Sequence, residues 1–374
     1  MFNFNSVYKS YHGWWKNIDK TLFILIILLF SLGLFFSLVS TSLIASNKLD
    51  TNNYFFFFKH LIFIFIGMIV LIFFSTLSEK NLFRFSIYLF FISVFLLFLV
   101  PILGAEVKGS RRWLNLIFLP RFQPIELVKP FIIVFIATIL CSEKDFNIYF
   151  KYLLTFIAII PVCLLLMIQP DIGQTVLIFL SWSVLVFISG VSLPIILSII
   201  SLSLLSLAYM VFYISKFAYI KSRIQSFFNP IDGTHTFQPN KAIDAISSGG
   251  FFGKGIGEGT LKIKVPEAHT DYIISVISEE FGVVVIILLL ILFLFFIYTV
   301  FKRIYLERNE KIKLVLTGAV SLIIFQALIH LGVNIRLLPT TGMTLPFLSY
   351  GGSSTVGVSI LSGIILNLTK RKID

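Results

Sequence analysis

Residues 21–39 read Thr21-Leu-Phe-Ile-Leu-Ile-Ile-Leu-Leu-Phe-Ser-Leu-Gly-Leu-Phe-Phe-Ser-Leu-Val39, without one charged side chain. An uncharged apolar run of about 18 residues or more is the signature of a helix that crosses a bilayer. Hydrocarbon offers a backbone amide no partner except the chain's own carbonyls, so the run must be helical there. A basic, aromatic lead with Lys9, Lys16 and Lys20 precedes it, and no small-residue cleavage pattern interrupts it before about residue 45. It is therefore expected to be a retained helix rather than a signal peptide.

The same texture recurs along the chain. Apolar spans are expected at 21–45, 60–77, 85–104, 125–141, 152–169, 172–189, 191–214, 272–300, 314–335 and 345–367, about ten in all. Two pairs are tight, one turning at Gln169-Pro170-Asp171 and one divided by Gly190 and Pro194. The composition agrees, with 57% hydrophobic residues, only 13% charged and 43 phenylalanines, and a mean hydropathy of +0.98. Soluble domains lie nearer about 45–50% apolar and 25% charged. At about 20 residues per crossing, the spans and their loops use up all 374 residues. The expected architecture is a single all-α polytopic membrane domain over 1–374. One long extracytoplasmic loop, about 215–271, would join helices 7 and 8. No internal repeat is visible, which argues against a tandem-repeat transporter. Cys141 and Cys163 lack metal-type spacing and read as small core hydrophobes, and the five histidines are too scattered for a zinc site.

The net charge is +12. With the N-terminus in the cytoplasm, the inner segments carry 15 of the 30 basic residues and the outer ones the same number. Long loops translocate largely regardless of charge. Discounting segment 215–271, with seven cations, leaves 15 against 8 and puts both termini inside. The outer face is still unusually basic for a translocated surface. Attraction to anionic lipid headgroups or to a phosphate-bearing substrate accounts for that, with plain solubility as the alternative.

Four polar clusters fall on this outer face. The first holds Glu106, Arg111, Arg112 and Trp113, then Glu126 and Lys129, whose spacing also allows them simply to pair with each other. Trp113 reads equally as an aromatic-belt anchor. The second is Asp171, at a helix start where a capping role would also explain it. The third lies in 215–271. Phe217–Phe228 alternates aromatic and basic residues like an interfacial amphipathic helix, ended by Asn229-Pro230, and Ala242–Ser247 reads as a short helix. The glycine run Gly249–Gly259 is not a phosphate-binding Walker loop, because Gly255 rather than Ser or Thr follows Lys254. A flexible turn and backbone amides cupping an anion both remain open for it. Glu267, His269 and Asp271 then crowd the mouth of the next span. Asp271 is either an N-cap or a functional carboxylate, and shares a helix face with Glu267 only if Pro266 permits a helix. Glu279 and Glu280 follow two turns on, where a charge at membrane depth costs about 2.5–3.5 kcal/mol. The fourth cluster, Asn334 to Ser354 with Arg336, has prolines and glycines that break a membrane helix. Such breaks are tolerated where the backbone is buried in protein or lines a cavity.

Five pieces in order resemble the SEDS family, the shape, elongation, division and sporulation proteins. They are Gly109-Ser-Arg-Arg-Trp113, Phe122-Gln-Pro-Ile-Glu126, Gln169-Pro-Asp-Ile-Gly173, Pro266-Glu-Ala-His-Thr-Asp271 with Glu279-Glu-Phe-Gly282, and Leu338 through Ser354. The run from Thr341 to Ser354 is more like the cell-division branch, FtsW, than the elongation branch, RodA. Ile125 stands where the family pattern has serine, and Thr341 where it has lysine.

The resemblance implies an inverting peptidoglycan glycosyltransferase in the bacterial cytoplasmic membrane at the division septum. It would polymerise lipid II, an undecaprenyl-pyrophosphate disaccharide pentapeptide, on the outer face. Implied partners are a class B penicillin-binding transpeptidase, other division proteins and membrane lipids, with no nucleic acid. Asp271 would be the general base. Arg111, Arg112, Lys129, Arg223, Lys254 and Arg336 are the candidates for pyrophosphate, alone or with a divalent cation such as Mg or Mn. Trp113 would stack on a sugar, and Glu106, Glu126, Asp171, Glu267 and His269 would position substrate, metal or base. The alternatives are a lipid II flippase, an elongation-type polymerase and a silent division scaffold.

Overall fold

The computed structural model describes residues 13–48, 54–107, 110–115, 120–142, 146–228 and 234–370. Seven helices run in succession: α1 (Lys20–Lys48), α2 (Phe55–Thr76), α3 (Glu79–Leu103), α4 (Ile125–Leu140), α5 (Ile148–Ile168), α6 (Ile172–Ile188) and α7 (Leu193–Tyr213). The loop helices α8 (Ala218–Phe228) and α9 (Thr234–Gly249) follow, then α10 (Ile273–Leu306), α11 (Glu310–Asn334) and α12 (Gly352–Leu368). Among the described residues, seven helices are long and apolar enough to cross a membrane: α1, α2, α3, α5, α7, α10 and α11. Helices α4, α6 and α12 stand at the other three expected positions but have only 16, 17 and 17 residues. The protein is an all-α polytopic membrane protein with one small addition. A hairpin of β1 (Ala105–Val107) and β2 (Ser110–Trp113) follows α3, which the helical periodicity did not foreshadow. Gly109 and Asn229-Pro230 lie outside the described residues.

Short polar contacts fix which helix ends share a face. Trp14 donates its indole N–H to Ser75 Oγ (3.0 Å) at the end of α2. Asn367, near the end of α12, donates to the carbonyls of Phe74, Ser75 and Leu77. Asp19 accepts from the amides of Thr21 and Leu22 at the start of α1 and pairs with Arg303 near the end of α10. A carboxylate suits the positive end of a helix, and the guanidinium offsets its burial. The described beginning and end of the chain thus lie on one face. Alternation of the helices then carries the described parts of segments 104–124 and 214–272, together with 169–171 and 335–351, to the opposite face, which brings the four polar clusters to one side.

The middle of the bundle is α12, buried along its length. Close approach to α2 depends on missing side chains. A Cβ on Gly67 would meet Ser359 Oγ at 2.4 Å, and one on Gly363 would meet the Leu71 carbonyl at 2.7 Å. Small residues let membrane helices gain dispersion contacts that lipid would otherwise supply. Helices α3, α5 and α7 sit outside with most of their apolar surface exposed, as lipid-facing helices do.

Helix α10 is broken at Gly282, whose φ of 77° and ψ of −179° only glycine adopts readily. The glycine-rich loop repairs the break. Gly250 and Phe251 carbonyls accept from the amides of Val283 and Val284, and the amides of Lys254 and Gly255 donate to the carbonyls of Glu279 and Glu280. The Glu279 carboxylate accepts from the amides of Leu261 (2.8 Å) and Lys262 (2.6 Å), and the Glu280 carboxylate from that of Gly257. Lys254 pairs with Glu279 at 3.4 Å and Lys262 with Glu280 at 2.5 Å. Of the two readings of the glycine run, the anion cup is the structural one, and the anions are the chain's own. Glu279 and Glu280 are tolerated in the bundle because amides and ammonium groups surround them.

A Cβ on Gly282 would lie 2.2 Å from the Phe251 carbonyl, whereas one on Gly13 meets open space. Gly282→Ala is expected to cost about 1–3 kcal/mol from the backbone conformation, with the clash added. Thermal unfolding in detergent should show a clear fall for Gly282→Ala and none for Gly13→Ala; equal midpoints would mean that the break is not held as described.

Candidate active site

Asp271 occupies a braced turn rather than a helix cap. Glu267 has a φ of 56°, and that conformation turns the next amides back, so that Thr270, Asp271 and Tyr272 all donate to the Glu267 carbonyl at 3.0, 3.1 and 3.3 Å. Glu267 and Asp271 therefore share a turn, not a helix face. The N-cap of α10 is Tyr272, and no side chain caps that end. Three consecutive carbonyls on the other side of the turn are also held. His269 accepts from the Tyr350 amide (3.0 Å), Thr270 from Ser349 Oγ (2.7 Å) and Asp271 from Asn334 Nδ2 (3.0 Å). The His269 ring packs 4.8 Å from Phe56 and 5.5 Å from Tyr350.

The segment that braces the turn also faces its carboxylate. A Cβ on Gly342, where φ is 72°, would stand 3.5 Å from Asp271 Oδ2 and 3.8 Å from Arg112 Nη1. One glycine is thus flanked by the anion and the cation. Arg112 reaches it from β2 and is itself fixed. Its guanidinium pairs with Asp171 Oδ1 at 3.6 Å and donates to the carbonyls of Gln169 (3.4 Å) and Pro170. Asp171, 2% exposed, makes no capping hydrogen bond to α6 and instead also accepts from Gln123 Nε2 at 3.2 Å. Burial chiefly, and then the Asp271 charge, push the Tyr272 hydroxyl above its ordinary pKa, with Arg223 opposing. The Tyr272 side chain is therefore a neutral neighbour of the carboxylate.

Around this centre the other expected residues fall into separate groups. Arg223 of α8 donates to the Thr340 carbonyl (3.1 Å), and Arg336 donates to Asn240 Oδ1 of α9 (2.9 Å). Helices α8 and α9 are thereby fastened over the 336–340 loop, with a small pocket between them. Glu126 and Lys129 pair at 2.7 Å inside the bundle. Gln174 donates to Glu126, and Lys129 donates to Gln326, which in turn donates to the Thr344 carbonyl. This pair supports the bracing segment from below. Glu106 and Arg111 form an exposed pair on the hairpin at 3.4 Å, Trp113 is half-buried at its end, and Lys254 is in the glycine-rich loop with Glu279. Ile125 is buried at the head of α4. Thr341 packs where a Cβ on Gly173 would touch it, and its hydroxyl is buried without a hydrogen-bond partner. Sequence reasoning did not single out Asn334, Ser349, Gln326 or Gln123 for roles. Gln123 and Ser349 lie inside the motifs of the resemblance and Asn334 opens the helix-breaking fourth cluster, while Gln326, in the middle of an apolar helix, had only its polarity as a signal.

No three His, Cys, Asp or Glu side chains among the described residues gather where they could hold a metal ion. A divalent cation would have to take most of its ligands from substrate oxygens and water.

An apolar helical bundle whose polar loops close over one carboxylate and one fixed guanidinium defines an integral membrane protein with a polar site on one face. The family model described as cell cycle protein, which covers FtsW, RodA and SpoVE, matches residues 19–373, and the chain belongs to that family. It is 32% identical over 366 residues to the probable peptidoglycan glycosyltransferase FtsW of Caulobacter vibrioides, covering 96% of this chain and 91% of that one. It is also 32% identical to the stage V sporulation protein E of Bacillus subtilis, covering 94% and 97%. Among solved structures, a chain of a peptidoglycan synthase complex that coordinates polymerization and crosslinking matches with a TM-score of 0.77 and 25% identity, covering 94% and 97%. The rod-shape-determining protein RodA of Thermus thermophilus matches with 0.69 and 25% identity, covering 94% and 96%.

Each bond to the turn's carbonyls is worth about 1 kcal/mol. Ser349→Ala or Asn334→Ala should therefore raise amide hydrogen exchange at Thr270–Tyr272 about fivefold. Unchanged exchange in both variants would show that these side chains do not hold the turn.

Proposed function

We propose that the chain is a peptidoglycan glycosyltransferase that polymerises lipid II during septal wall synthesis, with Asp271 as its general base. The observation that carries the catalytic part is the convergence of Asp271 and Arg112 on Gly342, at the face where all four polar clusters meet. The names of the relatives supply the reaction class. The positive-inside count supports the Asp271 face as the extracytoplasmic one and both termini as cytoplasmic.

In this reading the acceptor's GlcNAc 4-hydroxyl attacks C1 of the donor's MurNAc. The new C1–O bond forms as the bond from C1 to the pyrophosphate oxygen breaks, and the electron pair leaves on undecaprenyl pyrophosphate. Asp271 takes the hydroxyl proton. Inversion needs a single base on the attacking side, and the braced turn supports a base held at constant position. A well-placed base contributes about 10²–10⁴-fold. Arg112 suits the leaving group, because a guanidinium already fixed by Asp171 and two carbonyls needs no reorganisation as negative charge grows. Arg223 and Arg336 line the neighbouring pocket and would widen the anionic site. The similarity to a chain of a synthase complex supports a penicillin-binding transpeptidase as partner.

Purified protein with its transpeptidase partner and labelled lipid II tests this. Asp271→Asn should slow polymerisation by about 10²–10⁴-fold while lipid II still binds. Strands made at the wild-type rate by Asp271→Asn would remove the base from the mechanism. If the wild type makes no polymer but moves lipid II across the bilayer, the chain is a flippase.

A further inference from the structure

The glycine-rich loop has a feature that the reaction does not use. Its backbone faces inward, patching α10 at Gly282, while three of its side chains face outward: Phe251 is 75% exposed, Phe252 84% and Ile256 65%. Two adjacent phenylalanines left in water at a loop tip would be anomalous, so their height along the bundle decides what they meet.

Two helices give that height independently, both starting from the Asp19–Arg303 pair. In α10, Val283 to Arg303 is about 21 residues, or about 30 Å at 1.5 Å per residue. In α1, Lys20 to Val39 spans about 30 Å by the same rise. The Val39 carbonyl there accepts from Lys262 Nζ, which pairs with Glu280. The hydrocarbon core is about 30 Å thick. Both paths place the loop at the far boundary between hydrocarbon and headgroups, on the Asp271 side. The hydrogen bonds from Val283 and Val284 put Phe251 level with the top of the exposed apolar strip Val284, Ile287, Leu288, Ile291 and Leu294. The patch continues a surface that lipid already covers.

The geometry points to Phe251, Phe252 and Ile256 as an interfacial anchor inserted among the lipids of the outer leaflet. The exposed Lys264 follows in the same loop, as basic residues do beside buried apolar side chains in interfacial segments. The anchor sets the depth of the loop from Gly249 onward, and that loop leads directly into the Asp271 turn. This inference concerns the bilayer and holds whether or not Asp271 is a base.

Site-directed spin labelling in nanodiscs of phosphatidylethanolamine and phosphatidylglycerol, without any partner protein, tests it. With Cys141→Ser and Cys163→Ala as background, labels are placed by Phe252→Cys, by Asp244→Cys as the water reference and by Leu294→Cys as the lipid reference. Collision rates with oxygen, which concentrates in lipid, and with a nickel chelate, which stays in water, are read on monodisperse protein. The Phe252→Cys label is expected to be severalfold less accessible to nickel than the Asp244→Cys label, with oxygen accessibility nearer that of Leu294→Cys. Nickel accessibility equal to that of Asp244→Cys overturns the anchor. So does shielding from both reagents, which would place a second copy of the chain over the patch. A second series, carrying Phe251→Ser with the Leu294→Cys label, checks that the bundle is intact, because its oxygen accessibility should not change.

Discussion

Wherever this chain leaves helical geometry near the bilayer, the freed backbone groups must be bonded by protein, since lipid cannot do it. That constraint organises the functional face. The break at Gly282 frees carbonyls of Glu279 and Glu280, and the glycine-rich loop exists in its observed shape because its amides meet them. The non-helical stretch between α11 and α12 has the same need. Its answer is reciprocal: Asn334, Ser349 and the Tyr350 amide satisfy the Asp271 turn while that turn gives the stretch partners for its own donors. Two irregular segments that would each be costly alone become one rigid structure when paired.

The electrostatics of this face are more inward-looking than its cation count implies. Arg112 is engaged with Asp171, Lys129 with Glu126, Lys254 with Glu279, Lys262 with Glu280 and Arg111 with Glu106. Much of the outer positive charge therefore offsets carboxylates the fold itself buries or holds. Under the proposed function, the groups that would meet a substrate's phosphates are Arg112, held by Asp171 beside Gly342, and the Arg223–Arg336 pocket, a small set that favours defined recognition over general attraction of anions.

The apolar helices were legible because a charge-free run of bilayer length has few alternatives, and α8 because aromatic and basic residues alternate along it. The tight turn at Gln169-Pro170-Asp171 was legible as well. The β-hairpin at 105–113 was not: strands of three and four residues leave no periodicity to read. The start of α12 was placed early, at 345, because Leu345–Tyr350 is apolar enough to pass for helix although Phe347 has a φ of 66°. For the site, the acidic residues announced themselves by being charged beside a membrane span. Their partners did not. Asn334 and Ser349 act through geometry between segments more than 60 residues apart, and no local pattern encodes which carbonyl a side-chain amide will reach. The capping explanations for Asp171 and Asp271 were sound local chemistry that tertiary contacts displaced.

The seam between α2 and α12 bears on how the protein is made. The groove at Gly67 and the carbonyls at the end of α2 are completed by Ser359 and Asn367, and Asn367 leaves the ribosome 293 residues after Phe74. Until then the second helix waits in the bilayer with a vacant groove and unmet carbonyls. Maturation is consequently a closing event that waits for α12, and a nascent chain cut short before α12 presents the membrane quality-control machinery with an open seam.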